Sequence, residues 1–282
     1  MSQKTTPTTA FPVRLRWSGC TDRGKIRSSN EDSYLGLQFD SREVHRLGKF
    51  GEAAIGPTNL IFAVSDGMGG TRAGEFASHI AVEKITALLP RAFKQSADDL
   101  KNDFADVLAE LYAQIHRALL FVGDSYEECE GMETTLSLCW FTTGWMFFGH
   151  IGDSRIYHLP ARKGAIHQLT HDDTHVGWLF RHGKLTEREA RAHPRRTVLQ
   201  KALGGGNQFV APQVGAVACE PGDIFLLCTD GLVEGVYDSH LLDFLRPATP
   251  HPAGEERARE LVAAALANSG RDNTTALVVE VA

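Results

Sequence analysis

Apolar and polar positions change period several times along the chain, and each change marks an element. Val13-Arg14-Leu15-Arg16-Trp17 alternates and predicts a first strand. Residues 21–33 are polar and read as a surface loop ahead of Tyr34-Leu35-Gly36-Leu37. Residues 40–58, punctuated by glycines and Pro57, read as a hairpin excursion. Leu60-Ile61-Phe62-Ala63-Val64 is an unbroken apolar run. It predicts a buried strand that ends on Asp66, followed by a glycine-rich turn at Gly67-Met68-Gly69-Gly70. Ala73, Phe76, Ala77, Ile80, Ala81 and Leu88 then recur at helical spacing, and Pro90 is expected to end that helix. A second stripe, including Leu100, Phe104, Leu108, Leu111, Ile115 and Leu119, predicts a helix over about 98–121, capped by Asp98 or Asp99. The aromatic residues of both stripes are expected in the core.

From Thr134 the period becomes two. Leu136, Leu138 and Trp140 alternate with other residues, and the pattern predicts an antiparallel meander running on through 145–151, 155–159 and 165–169. Residues 171–196 are polar and rich in histidine and arginine, with a short helical piece at 186–192. A segment of that length exceeds an ordinary connection, and such segments tend to be functional or mobile. Strands are expected again at 213–218 and 223–228, helices at 239–245 and 255–268 around a proline-rich loop at 247–254, and a last strand at 276–281. Residues 1–12 read as a loose tail, and 13–282 as one α+β domain: two mostly antiparallel sheets packed together with helices outside.

Composition narrows the function classes. Of 282 residues, 43% are hydrophobic, enough for a large core, and 29 Lys and Arg against 35 Asp and Glu give a net charge of −6. That balance argues against a nucleic-acid binder held by phosphate contacts. The five cysteines are odd in number and contain no Cys-x-x-Cys pair, which points to a reducing compartment without a disulfide framework or structural zinc. No stretch has signal-peptide character or approaches the roughly 20 apolar residues of a membrane span. The expected protein is soluble, cytoplasmic and monomeric.

The candidate chemistry lies in recurring acids. Val64-Ser65-Asp66-Gly67 and Cys228-Thr229-Asp230-Gly231 both follow apolar strands, Asp153 follows the strand ending at Ile151, and Asp272 precedes the final strand. Glu31 and Asp32 flank another strand, with Arg27 nearby. Each aspartate alone is most simply a turn residue, and Arg27 with Glu31 and Asp32 most simply a surface ion pair. As a set, oxygen-only ligands at strand ends suit Mg²⁺ or Mn²⁺, because so many like charges repel one another unless cations lie between them.

The ordered set Thr21-Asp22-Arg23-Gly24 through Arg27 to Asn30-Glu31-Asp32, Ser65–Gly70, Gly131-Met132-x-Thr134-Thr135, Gly152-Asp153-Ser154-Arg155, Leu169-Thr170-x-Asp172, Thr229-Asp230-Gly231 and Asp272-Asn273 resembles the metal-dependent Ser/Thr phosphatases of the PPM (PP2C-type) family in its bacterial form. The resemblance implies two central antiparallel sheets flanked by helix pairs, and two Mn²⁺ or Mg²⁺ ions with a third in bacterial members. It implies that Asp66 bridges two ions and the Gly67 carbonyl adds a ligand. Asp230 and Asp272 would complete one ion, Glu31 and Asp32 would serve the other, and Asp153 with Asp230 would hold the third. Arg27 would grip the substrate phosphate. Phosphoserine and phosphothreonine proteins are the implied substrates and a Ser/Thr kinase the implied counterpart. A catalytically silent binding module and a hydrolase of small phosphoesters are the rival readings; the first would be expected to lack metal acids. With its last strand at the C-terminus, the chain is expected to carry no anchoring tail or sensor domain of the kind some bacterial members have. Two departures stand out. Met68 replaces a histidine proposed as general acid in animal members, leaving that proton to water. Asp173-Thr174 replaces a frequent His-Ser, within a segment matching the family's flap. His171 and His175, four apart there, read as solvated rather than as a metal pair. The flap is expected to select substrates.

Overall fold

The alternating start of the chain forms β1 (Arg14–Asp22), and the next apolar stretch forms β2 (Asp32–Phe39). In this computed structural model residues 13–40, 42–56, 58–69, 72–96, 104–162, 164–206, 210–246 and 256–282 are described, with side chains left out at 90–96. β3 (Val44–Arg46), β4 (Phe50–Ala54) and β5 (Asn59–Met68) precede α1 (Ala73–Ser96) and α2 (Phe104–Ser125). β6 (Glu133–Thr134), β7 (Leu136–Thr142), β8 (Trp145–Ile151), β9 (Arg155–Leu159) and β10 (His167–Gln168) follow. Next come α3 (His175–Arg181), α4 (Glu187–Ala192), β11 (Leu203–Gly204), β12 (Gln213–Ala218) and β13 (Ile224–Cys228). α5 (Asp230–Gly235), α6 (Asp238–Leu245), α7 (Arg257–Asn268) and β14 (Thr274–Val281) complete the order. The expected tail at 1–12, the caps Asp98 and Asp99 and the loop 247–254 lie outside the described residues.

One antiparallel sheet runs β10-β9-β13-β14-β1-β4. The other runs β3-β2-β5-β7-β8-β12, with β6 and β11 continuing from the far end of β5. Period two sorts their side chains. Leu60, Phe62 and Val64 of β5 meet Phe225 and Leu227 of β13 and Leu277 and Val279 of β14 between the sheets. Ile61 and Ala63 turn the other way, onto Ala77, Ala81 and Ile85 of α1 and Leu111 and Ile115 of α2. Leu226, Ala276 and Val278 likewise face Leu232, Leu261 and Val262 beneath α5 and α7. The result is a four-layer α/β/β/α stack, the α+β arrangement expected, in which the central strands are apolar on both faces. Among the described residues all five cysteines are free, and no helix is long and apolar enough to cross a membrane.

Several elements differ from expectation. The meander is broken after β8, because β9 belongs to the other sheet and Gly152-Asp153-Ser154 carries the chain across. The excursion at 40–58 is not a hairpin: β3 pairs with β2 and β4 with β1, so its two strands join different sheets. Alternation gives a strand its faces but not its partner. α1 continues through Pro90 to Ser96, since a proline within a helix removes only a single backbone donor. Phe76 is exposed, because the sheet-facing stripe of α1 runs through Ala73, Ala77 and Ala81.

The intersheet layer holds the two halves of the molecule together, and Phe225 is fully buried in it, edge to face with Phe141 at 5.3 Å. Phe225→Ala is expected to cost about 3–5 kcal/mol in denaturant unfolding. A loss under about 1 kcal/mol would show that the sheets do not rely on this contact.

Candidate functional site

β5 does not stop at Asp66. Gly67 and Met68 pair with Thr134 and Glu133 of β6, so the strand continues and Asp66 sits inside the ladder, directly opposite Asp32 of β2. The strand thus runs two residues past the expected end. The Asp66 backbone is held tightly: its N–H donates to Thr135 Oγ1 at 3.0 Å, and its carbonyl accepts from Thr134 Oγ1 at 2.8 Å and Thr135 N–H at 2.9 Å. Ser65, the residue before it, is buried against Thr134 Oγ1 at 2.7 Å. Gly67 is required by space: a Cβ would lie 1.9 Å from the Gly74 carbonyl oxygen at the start of α1.

Asp230 follows β13, as Asp66 follows an apolar run, but it is the first residue of α5 rather than part of a strand or turn. The preceding Thr229 does not cap the helix. It donates to Asp32 Oδ2 at 2.8 Å, and Thr275 Oγ1 of β14 donates to the same oxygen at 2.6 Å. One carboxylate from the larger sheet is thereby held by two hydroxyls from the smaller one. Asp272 lies just before β14, where Oδ2 accepts from Arg27 at 2.7 Å. Asn273 ties the polar loop 23–31 to the same place, donating to the carbonyls of Arg23 and Ser29 and accepting from Glu31 N–H at 2.7 Å. The Glu31 carboxylate lies beside Gly74, where a Cβ would come within 2.8 Å of Oε2.

Asp153 is on the crossing between the sheets. Gly152 before it has φ +110°, and a Cβ there would meet Thr135 at 2.5 Å. His150 is buried; its Nε2–H donates to the Gly152 carbonyl at 3.0 Å, so Nδ1 accepts from Ser137 at 2.8 Å. Burial pushes the His150 pKa down.

Asp66, Asp230, Asp32 and Asp153 are close enough to perturb one another. Burial, then repulsion from Asp32, Asp230, Asp153 and Asp272, holds Asp66 well above the ordinary carboxylate range, and Asp230 is raised for the same kinds of reason. Asp32 is pushed up to about 7, mainly by burial and against its two threonine hydrogen bonds. Asp153 is pushed up to about 7 by burial and by Asp172, with Arg155 opposing. Burial also raises Glu31, and the hydrogen bond to Asp272 raises Arg27.

Among the described residues no three carboxylate, imidazole or thiolate groups close into a cage around one point. Two buried carboxylate oxygens nevertheless have no hydrogen-bond partner, Asp32 Oδ1 and Asp230 Oδ1. Unpartnered, all-oxygen and anionic, this donor set fits hard divalent cations.

A cavity of about 360 Å³ opens beside Asp153 and Asp230, walled also by Arg155, Asp172, Arg191 and Arg271. Arg155 grips Asp172 with both prongs of its guanidinium, at 2.9 and 2.7 Å. Across the cavity, Arg191 of α4 donates to the carbonyls of Val233 and Val236, the latter at 2.9 Å, and lies over the Tyr237 ring at 4.1 Å. Arg196 pairs with Glu234. The segment 171–201 thus docks on α5, and it contains α3, which the sequence pattern did not reveal. His171 is held through its backbone by Gln213, while exposed His175 stacks on Trp178 with ring centres 6.3 Å apart.

The acids named from sequence fall in one region, contributed by both sheets. The hydroxyls that hold them were missed, although both Ser/Thr-Asp-Gly repeats place a hydroxyl before the aspartate, and that was the available signal.

A family model described as Protein phosphatase 2C matches residues 50–267. The serine/threonine protein phosphatase PstP of Mycobacterium tuberculosis is 34% identical over 271 residues, covering 95% of this chain and 45% of that protein. The chain therefore spans less than half the length of that relative. The serine/threonine phosphatase stp of Listeria monocytogenes is 31% identical over 261 residues, 92% of this chain and 93% of that protein. The structure of the PstP catalytic domain in complex with 2 manganese ions superposes with a TM-score of 0.73 at 31% identity, covering 95% of this chain and 99% of that one. The S. agalactiae serine/threonine phosphatase gives 0.75 at 27% identity, over 95% of this chain and 100% of that one.

Raised carboxylate pKa values make the folded chain bind more protons than the unfolded one, whose aspartates titrate at about 3.9. The acidic cluster's contribution to stability is therefore fully present below about pH 4 and is lost as pH rises from there through about 7, for Asp32 and Asp153. Without divalent cations, Asp66→Asn is expected to raise Tm at pH 8 by relieving repulsion, and to shrink the Tm gain on adding Mn²⁺. Thermal unfolding in chelator and in Mn²⁺ measures both; a lower metal-free Tm for the variant would contradict mutual repulsion.

Proposed function

Because the chain belongs to the protein phosphatase 2C family, we propose that it is a metal-dependent phosphatase of phosphoserine and phosphothreonine in proteins. In this reading residues 13–282 act as one catalytic domain, monomeric and cytoplasmic, opposing a Ser/Thr kinase. The observation that carries it is the pair of buried, unpartnered oxygens Asp32 Oδ1 and Asp230 Oδ1 within a cluster that raises its own carboxylate pKa values.

Asp66, the Gly67 carbonyl, Asp230, Asp272, Asp32 and Glu31 would hold two Mn²⁺ or Mg²⁺ ions, and Asp153 with Asp230 a third. Such ions acidify water and neutralise phosphoryl charge. The chain's own residues do the rest. Strand pairing fixes the backbone of Asp66 against that of Asp32, so the two acids are held in register. Arg27 is half exposed and shares its guanidinium with Asp272, leaving donors to fork onto a phosphate. No cysteine or serine nucleophile is needed. Met68 has no proton to give, so the leaving alkoxide takes its proton from solvent. The docked segment 171–201 forms one wall beside Asp153 and Asp230 and is placed to select among phosphopeptides.

Asp66→Asn or Asp230→Asn is expected to abolish Mn²⁺-dependent phosphate release from a phosphothreonine peptide, and near-wild-type turnover in either would sink the site. Arg27→Ala is expected to lower kcat/KM by about ten- to a hundredfold, mainly through KM, since a charge-assisted hydrogen bond is worth about 1.5–3 kcal/mol. A phosphopeptide panel run beside small phosphate esters tests the substrate class; a preference for the small esters would overturn the protein-phosphatase reading.

A further inference from the structure

Asp173 makes contacts that the proposed chemistry does not use. Its N–H donates to the Gly152 carbonyl at 2.7 Å, and its Oδ2 accepts from Gly152 N–H at 3.1 Å. One residue thus satisfies both polar groups of the glycine that precedes Asp153. The same Gly152 carbonyl accepts from His150 Nε2 at 3.0 Å. Asp173 also reaches the far end of the docked segment: its carbonyl accepts from Gln200 N–H at 2.7 Å, and Lys201 Nζ lies 3.8 Å from Oδ1. Thr174 and Leu199 form a β-bridge beside it. Gln213, at the start of β12, donates to Oδ1 at 3.3 Å while gripping both backbone groups of His171.

We infer that Asp173 is a positioning residue: it fastens the inter-sheet crossing that carries Asp153 to the two ends of the 171–201 segment. Gly152 needs such a fastening. Its φ of +110° is a conformation only glycine adopts readily, and among the described side chains Asp173 is the one that holds its N–H. A carboxylate can accept from Gly152 N–H and keep a second oxygen for Lys201 and Gln213. Cation affinity at Asp153 then depends on whether the segment is closed at its base. The fastening itself stands on the hydrogen bonds alone, while its effect on cation affinity rests on the proposed metal role of Asp153.

Two variants of the full chain test it, with hydrogen exchange and Mn²⁺ calorimetry as readouts that need no turnover. In Asp173→Ala the Gly152 amide is expected to exchange at least about tenfold faster. One class of Mn²⁺ site is expected to lose about tenfold in affinity, the usual scale for a residue that orients a ligand, while the others stay within about twofold. Asp173→Asn keeps an acceptor for Gly152 N–H and should hold that amide within about threefold of wild type. Wild-type exchange at Gly152 in the alanine variant, an asparagine variant as open as the alanine one, or equal Mn²⁺ losses at every site would each overturn the inference. If the wild-type chain released no phosphate from phosphopeptides, the functional reading would fail while exchange and calorimetry still decided the role of Asp173.

Discussion

Repulsion between carboxylates is the interaction around which this structure is built. Asp32 and Asp66 face each other across adjacent strands, with Asp230, Asp153 and Asp272 near enough to raise the Asp66 pKa further. In water such groups would separate. Here they stay together because each is attached to a different rigid element, and the elements are fixed by burial far larger than the local penalty. The apolar layer between the sheets supplies that burial, and the acids sit at its edge.

Neutral hydroxyls do the local holding. Thr229 and Thr275 reach from the smaller sheet to Asp32, and Ser65, Thr134, Thr135 and Ser154 form a buried chain behind Asp66. Hydroxyl donors fix carboxylate oxygens without supplying a countercharge, so the site keeps its negative potential. Arginines are used more sparingly: Arg155 neutralises Asp172 at the cavity wall, and Arg27 leans on Asp272 from the solvent side. The division fits a centre meant to attract cations while its surroundings are electrically quiet.

Much of this was legible in the chain alone. Unbroken apolar runs at 60–64 and 224–228 became central strands, helical spacing at 73–88 and 104–119 became the helix pair on one face, and the repeated Ser/Thr-Asp-Gly pointed to Asp66 and Asp230. What the sequence hid was partnership. Nothing in the alternation of 145–159 says that the chain changes sheets at Gly152, nor does 40–58 show that its strands part company. The two Asp-Gly motifs look alike yet adopt strand and helix, because β6 extends the ladder past Asp66 while Thr229 is drawn aside to Asp32. Those outcomes depend on residues some 70 and 200 positions away in sequence. Phe76 misled for a simpler reason: apolar spacing fixes a stripe, and its flank is still open to solvent.

The short helix α5 joins two parts of the molecule that would otherwise be independent. Its first residue is Asp230, and carbonyls at its far end are occupied by Arg191 from the 171–201 segment. That segment is therefore not a freely exchangeable module. A graft taken from a relative would bring its own substrate-facing surface but would leave the Val233 and Val236 carbonyls without their donor unless an arginine arrived at the position of Arg191, with a ring beneath it like that of Tyr237. Chimera construction, and the natural drift of such segments between paralogues, should respect that joint: the recipient helix and the donor arginine have to travel as one heritable unit.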